Sequence, residues 1–321
     1  MKRINKGTSI FVLAIVSAGA IGASIFIGPT PWEEVTTTII QDLRLPRAIL
    51  AFLVGASLGT AGVVFQGIFR NPLADPFVVG VSGGAGLGAV VAIVFGVQMT
   101  LLGLGASSLF AFVGALGAAF LAYQISNIRG RVPVGSLLLS GFAIGAFTGA
   151  VVSILLILNS RNWNEVIAWL MGNMNHADPW NRVWVVLPFF IISFGIALSK
   201  ARHLNLLLFG EEEAQTLGVD SEGTKLVLLF AGSIAAAAAV AMCGIIGFVG
   251  LIVPHIVRTL VGPDHRTLLP TTFLAGGFLL TIADIASRLF SPDTPLPIGA
   301  VTALCGAPFF LYLLRRKSIR F

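Results

Sequence analysis

Side chains that could do chemistry are sparse in this chain of 321 residues. Gly80, Ser82 and Gly84 match the G-x-S-x-G pattern of a hydrolase nucleophile, but that pattern needs a strand-to-helix turn and a His/Asp pair. Here it opens a long apolar run. The two cysteines, Cys243 and Cys305, have no metal-ligand companion at useful spacing. We therefore expect no catalytic residue, no metal site and no cofactor bound by the chain.

The most polar stretch of the sequence lies within residues 200–225. Three consecutive glutamates at 211–213 suit the start of a helix because of its dipole, and Gly218 suits its end. Ala214 and Leu217 would leave a small apolar face between them. The chain has no G-x-x-x-x-G-K-[ST] phosphate loop. This segment therefore predicts a helix that meets a partner protein able to supply energy; a solvated acidic loop is the alternative.

Composition determines which elements must carry these residues. Apolar residues make up 56% of the chain, charged residues only 11%, and the mean hydropathy is +0.94. Soluble domains carry about 25% charged residues, whereas apolar runs of about 20 residues, enough to cross a bilayer, recur along this sequence. Continuous rather than alternating apolar runs exclude a barrel.

We therefore predict an all-α, polytopic membrane protein in which residues 1–321 form one transmembrane domain. The ten predicted spans are 8–28, 48–69, 77–97, 104–126, 134–158, 183–199, 226–243, 245–262, 270–290 and 297–314.

Basic residues predict the orientation of these spans. An even number of spans leaves both termini on one side, and most of the 20 Lys and Arg residues fall on that side. The positive-inside rule then assigns both termini and residues 203–222 to the cytoplasm. The net charge of +6 reflects this topology, and we expect no nucleic-acid partner.

Ionisable residues are rare within the predicted spans. His255 and Arg258 lie toward the inner half of the eighth span, and Asp284 and Arg288 toward the outer end of the ninth. Secondary transporters normally carry ionisable residues deep in the membrane. An ion-coupled secondary transporter is therefore disfavoured, but it stays the alternative function because a broken helix can bind Na⁺ through its backbone.

Glycines recur every four residues in two of the spans. Such spacing puts small residues on one helix face and lets neighbouring helices approach closely in lipid, so it predicts tight packing, with a glycine-lined substrate path as the alternative. The residues are Gly80, Gly84, Gly88, Gly141, Gly145 and Gly149.

Two further features lie at opposite ends of the spans. Arg44, Arg47 and Arg288 fall near outer span ends, where they could anchor helices at the interface or bind carboxylates of an acidic partner surface. On the inner side, two prolines bracket residues 70–76 and prevent either flanking helix from continuing. This rigid turn could stand at the inner mouth of a pore.

Seven short motifs, in this order, resemble the permease family of binding-protein-dependent ABC importers for iron–siderophores, haem and vitamin B12. The resemblance covers about residues 43–316; the first span and the loop 159–182 carry no recognisable signature. The motifs are RLPR (44–47), NPLADP (71–76), GVSGGAGLG (80–88), GEEEAQTLG (210–218), GFVGLIVPHIVR (247–258), DIASR (284–288) and LPIGAVTALCGAPFF (296–310).

The resemblance implies a type II ABC importer permease fold in a homodimer, with the translocation path between the two copies. Two ATPase subunits, which hold ATP and Mg²⁺, would bind on the cytoplasmic side of the inner or plasma membrane. A soluble or lipid-anchored substrate-binding protein would dock on the outer side. Iron–siderophore import is the first choice of cargo, followed by cobalamin and haem.

The resemblance also assigns roles to individual residues. Arg44, Arg47 and Arg288 would meet acidic residues of the binding protein. Asn71 and Leu73, with Val134 and Gly135 at the start of the fifth span, would form the cytoplasmic gate. The residues that would contact the ATPase are Gly210, Glu211, Glu212, Glu213, Ala214, Leu217 and Gly218.

Overall fold

The computed structural model describes residues 6–28, 35–175, 178–290 and 295–315. In this part of the chain the backbone is mostly helical, which confirms the predicted fold class. The α-helices are α1 Lys6–Phe26, α2 Leu45–Ile68, α3 Val81–Val94, α4 Ala106–Ser126, α5 Val134–Leu158, α6 Trp163–Leu170, α7 Pro179–Ser199, α8 Ala201–Leu207, α9 Glu211–Thr216, α10 Ser221–Cys243, α11 Val249–Val261, α12 His265–Phe290 and α13 Ile298–Arg315.

Shorter elements fill some of the connections. A π-helical segment, Ile39–Arg44, leads directly into α2, and 3₁₀ turns precede α3 (Pro76–Val79) and α6 (Ser160–Asn162). Two strands of two residues each, β1 (Thr100–Leu101) and β2 (Leu104–Gly105), pair antiparallel before α4. Helix α6 lies in a predicted loop, whereas β2 occupies the first two residues of the fourth predicted span, 104–126.

Ten helices of the described residues fall at the ten predicted spans. Seven are long and apolar enough to cross a membrane: α1, α4, α5, α7, α10, α12 and α2 with its π-helical lead. The other three, α3, α11 and α13, are apolar but shorter. The molecule is therefore a helical, multi-pass membrane protein.

The predicted third and eighth spans are longer than the α-helices that the structure contains. The third span was predicted from residue 77, but α3 begins at Val81, after Gly80 with φ +86°. The eighth was predicted from residue 245, but α11 begins at Val249, after Phe248 with φ +69°. Left-handed residues end a run of helical hydrogen bonds, and irregular backbone at this depth is tolerated where protein surrounds it.

Helices α2 and α10 form the centre of the bundle. Most of α2 is buried, and it packs against α7, α10, α11 and α12. Its contact with α11 is possible only because both sides are glycine: a Cβ on Gly62 would lie 1.8 Å from the carbonyl oxygen of Gly250. On α10, the five alanines of residues 235–239 are all buried.

The glycine rows divide into two environments. Gly84 and Gly88 lie against backbone carbonyls of Gly114 and Phe110 on α4, so this row packs tightly as predicted. On α5, Gly141 contacts Val78, but a Cβ on Gly145 or Gly149 would meet nothing within 4 Å beyond the adjoining backbone of α5 itself, among the described residues. Gly145 is nevertheless close to α3, because a Cβ on Gly83 would lie 3.1 Å from its Cα. Tight packing within the subunit therefore holds for the first row and for Gly141 and Gly145, but not for Gly149. The open glycines share α5 with the strongly exposed side chains of Leu139, Phe142, Phe147, Ile157 and Leu158.

Candidate partner-docking and gating sites

The polar segment folds as two short helices, α8 and α9, joined by a glycine turn. Gly210 precedes α9 with φ +138°, a conformation that side-chain-bearing residues rarely adopt. At the other end, the Gly218 N–H donates to the Gln215 carbonyl (2.9 Å) and the Val219 N–H to the Ala214 carbonyl (3.0 Å). With Gly218 at φ +83°, this pair of bonds is a Schellman stop. The helix and its end at Gly218 are as the sequence predicts.

A small apolar cluster holds α9 against the rest of the chain. Leu207, Ala214 and Val219 are buried together. Helix α9 is therefore held in place by its own Ala214 together with Leu207 before the helix and Val219 after it. Ala214, predicted as part of a contact face, lies instead on the inner side of the helix.

The outer side of this segment combines acidic and apolar side chains. Glu212 and Glu213 are exposed, and so are Phe209 (76%) and Leu217 (63%). We call these four residues the α9 surface. Glu211 differs from the other glutamates because its Oε2 lies 2.8 Å from the ammonium of Lys225 on α10. Of the three acids, only Glu212 and Glu213 are thus available to a partner.

Two of the three outer arginines, Arg47 and Arg288, meet around one buried carboxylate. Arg47 Nε lies 3.0 Å from Asp284 Oδ1, and Arg288 Nε lies 3.1 Å from Asp284 Oδ2. Through Arg47, Asp284 joins α12 to α2. Because Asp284 is fully buried, these contacts lie in a region of low dielectric. The Arg47 guanidinium also donates to Asn175 Oδ1 (3.4 Å).

Arg44 and Arg288 cap the carboxyl end of α1. Arg44 Nη1 donates to the Ile25 carbonyl (3.2 Å), and Arg288 Nη1 donates to the Ile27 carbonyl (2.8 Å). Arg288 Nη2 also donates to Ser24 Oγ (2.7 Å). The last carbonyls of a helix lack partners of their own, and positive charge there is favourable. Both arginines are buried, whereas the side chain of Arg47 keeps 14% of its surface exposed.

The predicted gate residues lie in the turn after α2 and at the start of α5. Asn71 Oδ1 accepts a hydrogen bond from the Leu73 N–H (3.0 Å), which fixes the turn. Val134 and Gly135 form the first turn of α5, after Pro133 at its N-cap. Val134 lines a cavity of about 200 Å³ between α4, α5 and α10.

Asp75 gives the turn after α2 its rigidity. Its Oδ1 accepts from the Phe77 N–H (2.8 Å) and caps the 3₁₀ turn before α3. Burial raises the pKa of this carboxyl from 3.8 to about 6, and the bond from Phe77 opposes the rise only in part.

Sequence reasoning did not predict the contacts of three polar residues that hold these sites together. They are Asp75, Lys225 and Asp284, and Asp284 binds both Arg47 and Arg288. Spacing offered a signal for two of them. Glu222 and Lys225 are three residues apart, and Asp284 and Arg288 four apart, which on a helix brings opposite charges together. The contacts of Arg47 with Asp284 and of Glu211 with Lys225, by contrast, join different helices, so spacing along the sequence gives no signal for them.

Comparisons with known proteins agree with this architecture. The FecCD transport family model matches residues 8–316. The cobalamin import system permease protein BtuC of Halobacterium salinarum is 48% identical over 293 residues, covering 89% of this chain and 76% of that protein. The hemin transport system permease protein HmuU of Yersinia pestis is 38% identical over 324 residues, covering 98% and 96%.

One solved structure extends the likeness to three dimensions. The inward-facing structure of a metal-chelate type ABC transporter superposes with a TM-score of 0.86 at 34% identity, covering 97% of this chain and 100% of that one. The chain, a transport component rather than an enzyme, belongs to the FecCD transport family.

Proposed function

We propose that the chain is the membrane-spanning subunit of a binding-protein-dependent ABC importer, driven by a separate ATPase on the cytoplasmic side. The α9 surface carries the proposal. It presents Glu212, Glu213, Phe209 and Leu217 on a helix with a fixed start and end, and the chain has no phosphate loop of its own. A rigid, partly apolar protrusion of this kind suits the cleft of a partner protein.

A second copy of the chain would complete the translocation path. The outward side of α5 exposes large apolar side chains beside glycines that face open space. Small residues let helices pack closely in lipid, so this face suits another copy of α5. The path would then run between the two subunits, with both termini in the cytoplasm.

The outer face would receive a substrate-binding protein near Arg47. Rim charges contribute more to the rate and orientation of encounter than to affinity. Arg44 and Arg288 would support this surface from beneath, because their guanidinium groups bond to α1.

Mechanism follows from these contacts. Docking of the loaded binding protein would release cargo into the space between the subunits. ATP binding would draw the two ATPases together and displace α9, exchanging an open outer gate for an open inner one. Such a shift requires that the ATPase contacts α9 differently in its two nucleotide states.

The cargo belongs to the class of bulky chelates and macrocycles: an iron–siderophore, cobalamin or haem. The relatives named above are described as cobalamin and hemin permeases, and the superposed structure as a metal-chelate type transporter. Of the two permeases named above, the cobalamin permease has the higher identity to this chain, 48% against 38%, so cobalamin is the first cargo to test.

Reconstitution tests the function directly. We expect liposomes that contain the chain, its ATPase and the loaded binding protein to accumulate cobalamin, ferric siderophore or haemin. This accumulation should require ATP inside the vesicles, on the side where the ATPase is bound. The chain alone should be inactive. Full-rate uptake by the chain alone that an uncoupler abolishes would contradict the importer and favour ion coupling.

A further inference from the structure

A buried lysine at the start of α10 lies between the α9 surface and the cytoplasmic gate. Lys225 is only 4% exposed. Its ammonium lies 2.8 Å from Glu211 Oε2, 2.7 Å from Glu222 Oε1 and 3.0 Å from the carbonyl oxygen of Val132. An ammonium has three N–H donors, so all three are engaged.

The three partners belong to three different segments. Glu211 is the first residue of α9, Glu222 lies in the first turn of α10, and Val132 lies two residues before α5. The second oxygen of Glu222 accepts from the Val132 N–H (3.1 Å). Both backbone groups of Val132 are therefore held by the cluster, and Pro133 connects it directly to Val134.

A further bond ties α9 to the same point. Ser221 Oγ on α10 donates to the carbonyl oxygen of Glu211 (3.1 Å). The first residue of α9 is thus attached to α10 through its side chain and through its backbone. Displacement of α9 would act on this point first.

We infer that Lys225 is a positioning residue that links α9 to the amino end of α5, so that movement of α9 by an ATPase displaces Val134 and Gly135. The inference rests on the proposed function. The cavity of about 200 Å³ beside the cluster is lined by Val132, Val134 and Lys225, and gives the start of α5 room to shift without repacking a filled core.

Loss of the ammonium should loosen this link without unfolding the chain. The side chains of Glu211 and Glu222 are 29% and 27% exposed, so water can solvate both carboxylates once Lys225 is replaced. A methionine of similar length would fill the space and make none of the three polar contacts. The connection between α9 and α5 would then depend only on the Ser221–Glu211 and Glu222–Val132 bonds, so the distance between them should vary more.

The test compares Lys225→Met with wild type in liposomes that hold the complete transporter, with uptake and ATP hydrolysis measured in the same vesicles. We expect hydrolysis to stay within about twofold of wild type and uptake to fall by about tenfold. Lys225→Arg keeps the charge and should recover part of the uptake. Lys200→Met is the matched control, because it removes the same charge at the carboxyl end of α7, outside the cluster.

Two outcomes would overturn the inference: unchanged uptake by Lys225→Met, or a parallel fall of uptake and hydrolysis together with a lowered Tm. Failure of the proposed function has a different signature, since wild type itself would then show no ATP-dependent uptake.

A distance measurement tests the link in the unaltered cluster. Spin labels at exposed positions 131 and 215, in a chain without its native cysteines and diluted with unlabelled chain, report the separation of α9 from the segment before α5. A rigid link predicts the same distance with and without ATP in wild type, and a broadened distribution in Lys225→Met. A wild-type distance that changes with nucleotide would overturn the inference.

Discussion

Asp284 on α12 holds Arg47 on α2 in a forked ion pair, with its Oδ1 at 3.0 Å from Nε and 2.9 Å from Nη2. Its other oxygen lies 3.1 Å from Nε of Arg288, one turn further along α12. One buried carboxylate thus serves two arginines, and Arg288 in turn caps α1. The end of α1, the start of α2 and the end of α12 therefore depend on a single acidic side chain.

Asp284→Asn should destabilise the protein by about 3 kcal/mol, because it leaves the buried guanidinium group of Arg288 and the half-buried one of Arg47 without their anion. Denaturant or thermal unfolding in detergent would measure the change. Asp42→Asn is the control, since Asp42 is exposed. Equal stability of the two variants would contradict the central role of Asp284.

Arg47→Gln should weaken docking of the binding protein by about tenfold at low salt, with a smaller effect at high salt, because salt screens a charge that reaches the protein surface. Surface binding measured at two ionic strengths gives the comparison. Arg161→Gln removes an exposed arginine of the loop before α6 and should change docking little. If Arg47→Gln binds as wild type at both salt concentrations, Arg47 is an anchor of α2 alone.

Sequence reasoning located the ten apolar helices because bilayer thickness and periodicity impose their length. It did not locate the breaks within them. Gly80 and Phe248 each adopt a positive φ just before a helix, and Phe248 gives no sign of this in its residue type. That conformation follows from the surrounding packing rather than from local preference.

The arginine site was likewise predicted only in part. Arg44, Arg47 and Arg288 were predicted to act together, and the structure brings them into one cluster. Their spacing did not predict that Arg288 would bond to Ser24, 264 residues away. The docking role of these arginines stays a prediction. Of the three arginines, Arg47 remains the candidate for binding a partner, because the guanidinium groups of Arg44 and Arg288 face the end of α1.

The α9 surface should bind the ATPase mainly through its apolar residues. We expect Phe209→Ala combined with Leu217→Ala to reduce co-purification of the ATPase by at least about tenfold, since exposed apolar anchors dominate interface energy. Phe95→Ala, on an exposed apolar residue at the end of α3, is the control. Capture of the binding protein should be unchanged in both. Undiminished co-purification by the double variant would remove the α9 surface from the contact.

Asp75 should make stability depend on pH. Because its folded pKa of about 6 exceeds 3.8, the protonated form favours the fold, and this contribution is lost as pH rises from about 4 to 6. Asp75→Asn keeps an oxygen that can accept from Phe77. We expect the variant to match wild type at pH 4.5 and to be more stable by about 2 kcal/mol at pH 7.5. A stability difference that is the same at both pH values would contradict this.

A bulky residue on the open side of α5 should prevent dimer formation while the subunit still folds. Gly149→Trp fits this test, because a Cβ at that position would meet nothing within 4 Å beyond the adjoining backbone of α5, among the described residues. Light scattering in detergent should then report a monomer, since the close approach of two α5 helices is blocked. Gly117→Trp on α4 is the control, because its Cβ position is equally open within the described chain. A Gly149→Trp variant that remains dimeric would show that the two copies meet elsewhere, and the translocation path would then have to be sought along another helix.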